Sequence, residues 1–308
     1  MADKARLQTD KELAKMERHL TEIYKRAEKE TGTAWFNYLD NVEDEISKLR
    51  EAYAEAKRSG DKKEIKKAGK NLSAKLQEKT LFNQHYKDLT NQVAVQISHI
   101  NETAAAYING ELPKIYAINY NEVADSVNSK VGGISFDLVD QNTVKRLATQ
   151  EENLLPYMEI NGKKDVRWNV SKINSEVLQG IIQGESMTHV AERLANVLSM
   201  DEASAIRNAR TTVTSAENKG RMDMLRDAQD KGVNMVKVWL ATNDGRTREA
   251  HEDLNGQERP IDEPFDSMLG KIMYPGDPDA EDPANVYNCR CTLTYKVVGF
   301  GEKNAEGK

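Results

Sequence analysis

Lys231-Gly232-Val233-Asn234-Met235-Val236-Lys237-Val238-Trp239-Leu240 is the stretch where the chain changes its period. Upstream, apolar residues recur every three or four positions. From Val233 they fall as Val233, Met235-Val236, Val238 and Trp239-Leu240, a short β-branched run that reads as a strand. Gly232 suits the left-handed residue that closes a helix. A second run of this kind occupies residues 291–298, CTLTYKVV. Together they predict a small C-terminal sheet with strands over 236–240 and 291–297.

Moving back from Gly232, the sequence is helical. Asp201 is the predicted N-cap of a helix over roughly 201–230. Ser186 is the predicted N-cap of the one before it, which carries Val190, Leu194, Val197 and Leu198. Val170, Ile173, Val177 and Ile181 share a face of another. Residues 110–165 are punctuated by Gly110, Pro113, Gly132-Gly133, Pro156 and Asn161-Gly162, and read as a connector with short helices. The first ~110 residues hold long seams of 3.5 period. Leu13, Met16, Leu20, Ile23 and Ala27 form one. Trp35, Leu39, Val42, Ile46, Leu49, Tyr53 and Ala56 form the next, and Val93, Ile97, Ile100, Ala104 and Tyr107 the last. Ser59-Gly60-Asp61 marks a hairpin turn, and no proline precedes Pro113.

The expected fold is therefore mainly α with a small α+β C-terminal domain, its long N-terminal helices forming a hairpin or arm. The expected divisions are a helical arm over 1–110, the connector over 111–165, an α+β domain over 166–298 and a flexible polar tail over 299–308. The seams serve either as core packing within the chain or as a surface for a partner protein.

Composition narrows the function. Of 308 residues, 31% are charged, 38% hydrophobic and 6% aromatic, which reads as a soluble, helix-rich chain. No apolar run reaches ~18 residues and the N-terminus has no apolar signal core, so neither a spanning helix nor a secretory signal is expected. The net charge of −6 argues against wholesale coating of nucleic acid. The charge is uneven, however. Residues 57–79 concentrate lysines, with Lys62, Lys63, Lys66, Lys67 and Lys70 as candidate contacts to DNA or an acidic partner; a solvated helix face is the plainer reading. Residues 244–283 carry twelve acids against Arg246, Arg248, Arg259 and Lys271.

The chemistry-bearing residues lie in 239–291. Asp244 can cap a short helix ending at Asn255-Gly256, and Asp244, Arg248 and His251 step by four and three along it. The two cysteines, Cys289 and Cys291, sit at i and i+2, which in a strand point to one face. Two thiolates and one imidazole are a common zinc ligand set, with Asp244, Asp253 or water as a fourth. Against this, Cys-x-Cys is an uncommon zinc spacing, and the cysteines can equally pack as small apolar groups. No phosphate loop, dinucleotide fingerprint, His-Glu-x-x-His or nucleophile elbow occurs, so no small-molecule substrate is expected. His19, His85, His99 and His189 read as packing or surface residues.

One string of motifs resembles a known family. Ala209-Arg210-Thr211, Asn218-Lys219-Gly220, Trp239 and Asp244-Gly-Arg246-Thr-Arg248-Glu-Ala-His251-Glu-Asp-Leu254-Asn-Gly256 come in order. Phe265, Pro275-Gly-Asp-Pro278 and Asn288-Cys289-Arg290-Cys291 follow. Over about 168–298 this is similar to the phage head-morphogenesis, Mu F-like minor head proteins.

The resemblance implies a non-enzymatic, low-copy virion protein at the portal vertex and capsid interior. It would be assembled in the host cytoplasm with the portal and other head proteins, and act in head morphogenesis, packaging or ejection of DNA. It also implies structural roles for Arg210, Trp239, Arg246, Arg248, Gly256 and Asn288. Finally, it strengthens a structural zinc on His251, Cys289 and Cys291, with Asp244 the preferred fourth ligand. The competing reading is a metal-dependent nuclease using His251 and Asn288. A transferase domain, which related phage chains can carry, has little room beyond residue 298.

Overall fold

The structure is a computed structural model. It describes residues 3–79, 84–131, 135–151, 153–183, 185 and 187–300. The helix cap read at Ser186, the glycines 132–133 and residues 301–308 of the tail lie outside the described residues, as do the side chains of Trp35, Leu39, Val42 and Ile46. Seven α-helices are described: α1 (Lys4–Ser59), α2 (Lys62–Lys79), α3 (Gln84–Lys130), α4 (Gln141–Ala148), α5 (Gly162–Ile182), α6 (Met187–Asp230) and α7 (Glu249–Glu252). Five strands accompany them: β1 (Val233–Leu240), β2 (Glu258–Pro260), β3 (Phe265–Ser267), β4 (Gly270–Ile272) and β5 (Thr292–Phe300). The chain is mainly helical with a small sheet near its C-terminal end, as the change of period predicts. The contacts divide it into two units, residues 1–20 with 104–159 and 204–308, and residues 21–103 with 160–203.

The second unit is all helix. Gly60 takes φ +75° and the Asp61 carboxylate accepts from the Lys63 amide at 2.7 Å, so α1 turns into a capped α2 at the predicted Ser59-Gly60-Asp61 hairpin. Lys62, Lys63, Lys66, Lys67 and Lys70 are all exposed on α2. The core of this unit includes Tyr24, Val93, Ile97, Ile173, Val190 and Val197.

The first unit holds the sheet. Its order is β2-β1-β5, all antiparallel, with Trp239 opposite Leu293. β5 runs past the predicted end: Gly299 and Phe300 pair with Asn234 and Val233, so the start of the expected flexible tail is ordered strand. A bulge between Asn234 and Met235 absorbs the extra residue. β3 and β4 form a separate hairpin.

Three helix boundaries differ from the sequence reading; one is α7, which begins after Arg248 and is not capped by Asp244. α3 does not stop near Gly110 but runs through Pro113 to Lys130, replacing much of the expected connector. Proline costs a helix interior about 3 kcal/mol. Here Leu112, Ile115, Tyr116, Val123, Ala124 and Val127 are all buried, and burying that many side chains outweighs the lost hydrogen bond. Nor does a new helix start at Asp201. That residue lies inside the continuous α6, and its carboxylate binds Lys172 Nζ at 2.7 Å instead of capping.

α6 crosses α3 closely. A Cβ on Gly220 would lie 2.5 Å from the Tyr116 carbonyl oxygen, which is backbone and cannot swing away. Gly220→Ala is therefore expected to cost about 3 kcal/mol by overpacking. Chemical denaturation checks it: the midpoint should fall with little change in slope.

Candidate metal centre

Each member of the centre is placed by a different local device. Gly232 (φ +85°) ends α6 and launches β1, which carries the fully buried Trp239. After β1, the Asp244 carboxylate accepts from the Arg246 amide at 3.0 Å, and this turn leads into the four-residue α7. α7 presents His251, 1% exposed. Gly256 (φ +77°) closes the segment, its amide donating to the Trp239 carbonyl at 2.8 Å. The imidazole packs edge-on against Trp239, with ring centroids 5.2 Å apart, and Trp239 packs likewise on Phe265 at 5.3 Å.

The cysteines are set by α6. Asn288 takes φ +54°, a left-handed conformation that asparagine tolerates, and its amide donates to Thr211 Oγ1 at 2.9 Å. Thr214 Oγ1 donates to the Cys289 carbonyl at 2.7 Å, and Asn218 Oδ1 accepts from the Leu293 amide at 2.6 Å. One helix face thus fixes the backbone on both sides of Cys-x-Cys. Cys289 and Cys291 are 2% and 3% exposed.

Here the three residues meet. His251 Nδ1 lies 3.6 Å from Cys289 Sγ and 3.5 Å from Cys291 Sγ, and the three ligand atoms fall within 4.8 Å of one another. Tetrahedral zinc with ~2.0 Å Zn–N and ~2.3 Å Zn–S bonds requires an N···S edge of about 3.5 Å. The spacing fits that requirement.

The tautomer fits as well. His251 Nε2 is 2.9 Å from Asn285 Oδ1, while Asn285 Nδ2 donates to the Gly270 carbonyl at 3.4 Å. Asn285 therefore accepts from Nε2–H, which leaves the Nδ1 lone pair directed at the sulfurs. Contact with Cys289, and with His251, pulls the Cys291 thiol below the usual thiol range, and the same cysteine contact, with burial, pushes Cys289 up.

The other candidate residues are placed as follows. Asp244 is not in the cluster. Both its oxygens are taken by Arg290, at 2.5 and 2.6 Å, which holds its carboxyl well below the usual carboxylate range. Asp253 is exposed at the end of α7. Among the described residues no carboxylate joins the three ligands. Arg210 pairs with Glu17 at 2.6 Å, Arg246 is largely exposed, and Arg248 donates to the Tyr287 carbonyl. Arg210, Arg246, Arg248, Asn288 and Arg290 line a cavity of about 230 Å3 that the three ligands also border. Sequence reasoning missed Asn285, the residue that orients the imidazole. Its one signal was Asp282-Pro283, a capped turn start that fixes the buried Asn285 in a 3-10 turn.

Comparison with known proteins agrees with the motif string. Residues 171–294 match the family model described as Phage Mu protein F like protein. The chain is 27% identical over 287 residues to the minor head protein GP7 of Bacillus phage SPP1, covering 92% of this chain and 86% of that protein. It is also 26% identical over 187 residues to an NAD(+)–arginine ADP-ribosyltransferase of Enterococcus faecalis, covering 59% of this chain but only 33% of that enzyme. No solved structure matches. The chain thus carries a Mu F-like region and resembles a phage minor head protein over nearly its whole length, which supports a role in head morphogenesis.

Proposed function

We propose that this relative of the phage minor head proteins is a non-enzymatic, low-copy component of the virion, seated at the portal vertex and facing the head interior. The observation that carries this reading is the similarity to a minor head protein along 92% of the chain. The site chemistry is compatible with it. Both nitrogens of His251 face protein groups at 1% exposure, and Thr214 and Asn218 are engaged with backbone. A nuclease using His251 and Asn288 would need that imidazole open to DNA. The test is co-purification: the tagged chain, expressed with the portal protein of the same phage, is expected to retain it, and failure to retain it counts against the portal assignment.

In this reading the cluster holds structural zinc, because thiolates with imidazole favour zinc over magnesium. Zinc bound there would supply a cross-link between α7 and the segment before β5. His251, Cys289 and Cys291 would hold it, Asn285 and Trp239 orient the imidazole, and Thr214 and Asn218 hold the Cys-x-Cys backbone.

The exposed lysines of α2 are assigned to packaged DNA. Log affinity for duplex DNA is then expected to fall linearly with log salt, and replacing Lys62, Lys63, Lys66, Lys67 and Lys70 by glutamine should flatten the slope by up to about 4.5. Equal slopes for both proteins would leave these lysines as a solvated face.

A further inference from the structure

The cavity bordering the cluster has a charge pattern that holding a fold does not require. Four arginines line it, Arg210, Arg246, Arg248 and Arg290, and no carboxylate is among the lining residues. Some of this charge is answered from outside the cavity: Asp244 binds Arg290 through both oxygens and approaches Arg246 at 3.8 Å, and Glu17 binds Arg210. Two carboxylates, and the Cys291 sulfur that borders the cavity, thus face four guanidiniums.

Arg248 is where the imbalance falls. Its Nη2 donates to the Tyr287 carbonyl, while its Nη1 is shielded from solvent and has no hydrogen-bond acceptor. A guanidinium N–H without an acceptor is unfavourable, and a turn of the Arg248 side chain into the cavity would let an anionic oxygen relieve it. Arg290 is fixed by its bidentate pair, so its charge is already positioned before any ligand arrives.

We propose that this cavity binds a phosphate-class oxyanion, held by Arg248, with Arg246 and Arg290 supplying the surrounding positive charge. Planar guanidinium forks match phosphate oxygens in pairs, and several converging on one cavity select a multiply charged oxyanion over chloride. The ligand is free inorganic phosphate or a phosphate ester such as a nucleic-acid terminus. The site stands on the arginines alone, independently of zinc in the neighbouring cluster and of the portal assignment.

The test is calorimetric titration of the full chain with sodium phosphate at constant ionic strength, with sodium chloride as control. Saturable binding of phosphate is expected. Arg248→Gln should weaken it at least tenfold in a protein that still folds. Arg246→Gln, at a largely exposed side chain, should weaken it about threefold, and it decides the matter should Arg248→Gln not fold. A short oligonucleotide with a 5′-phosphate, compared with its dephosphorylated form, distinguishes the sources. Tighter binding of the phosphorylated form assigns the site to an ester, and equal weak binding of both beside a clear phosphate isotherm assigns it to the free ion. Phosphate binding no better than chloride, or affinity unchanged in the folded variants, overturns the proposal.

Discussion

With zinc in the cluster as proposed, treating the purified protein with a chelator, or replacing Cys289 by serine, is expected to lower stability by on the order of 4 kcal/mol. Losing a structural metal is among the few single changes that reach this size. His251 belongs to α7 and the cysteines to the segment before β5, and the residues between them hold only short strands and turns. If zinc spans the 3.5–3.6 Å gaps between Nδ1 and the two sulfurs, it cross-links that excursion at both ends. Without it, two buried thiols and an imidazole are left to pack against each other. Metal analysis of the protein as purified should return one zinc per chain, and Cys289→Ser and His251→Ala should lose it. Thermal melts with and without chelator that superimpose would leave the cluster as packing alone.

Arg221→Met is expected to destabilise the protein by about 3–5 kcal/mol, the usual cost of removing one partner from a buried ion pair. Arg221 is 4% exposed and binds Asp3 Oδ2 at 2.7 Å, Asn119 Oδ1 at 3.0 Å and the Leu293 carbonyl at 3.3 Å. Glu217, 7% exposed, lies 3.7 Å from Arg221 Nε, and burial already pushes its carboxyl above the usual range. Without the guanidinium, Glu217 must protonate or remain a buried unpaired charge. Adding Glu217→Gln to Arg221→Met should recover part of the loss, because the orphaned charge is gone. Urea denaturation of the two single variants and the double variant checks this. Additive losses would show that the pair is not coupled.

The sequence carried the sheet well. The alternation from Val233 and the run after Cys291 depend on local side-chain placement, and both appear as paired strands. The convergence of His251 with the cysteines was also legible, through the i, i+2 spacing and the family resemblance. What stayed hidden depends on distant partners. Pro113 reads as a stop because its own backbone disfavours a helix, and only the burial around it reverses the outcome. Asp244 reads as a ligand from its spacing to His251, but its carboxylate is claimed by Arg290, 46 residues on. Asn285 left only the Asp282-Pro283 turn start before it, which marks a turn but not that its asparagine orients a histidine.

In the proposed function this chain is a structural part of a phage head, and His251, Cys289 and Cys291 maintain its fold. The most direct measurement is quantitative mass spectrometry of purified phage particles, wild type against Cys289→Ser. The account predicts a few copies per wild-type particle, and loss of the chain from particles of the variant. Wild-type particles free of the chain, or variant particles that carry it at the same copy number, would contradict it.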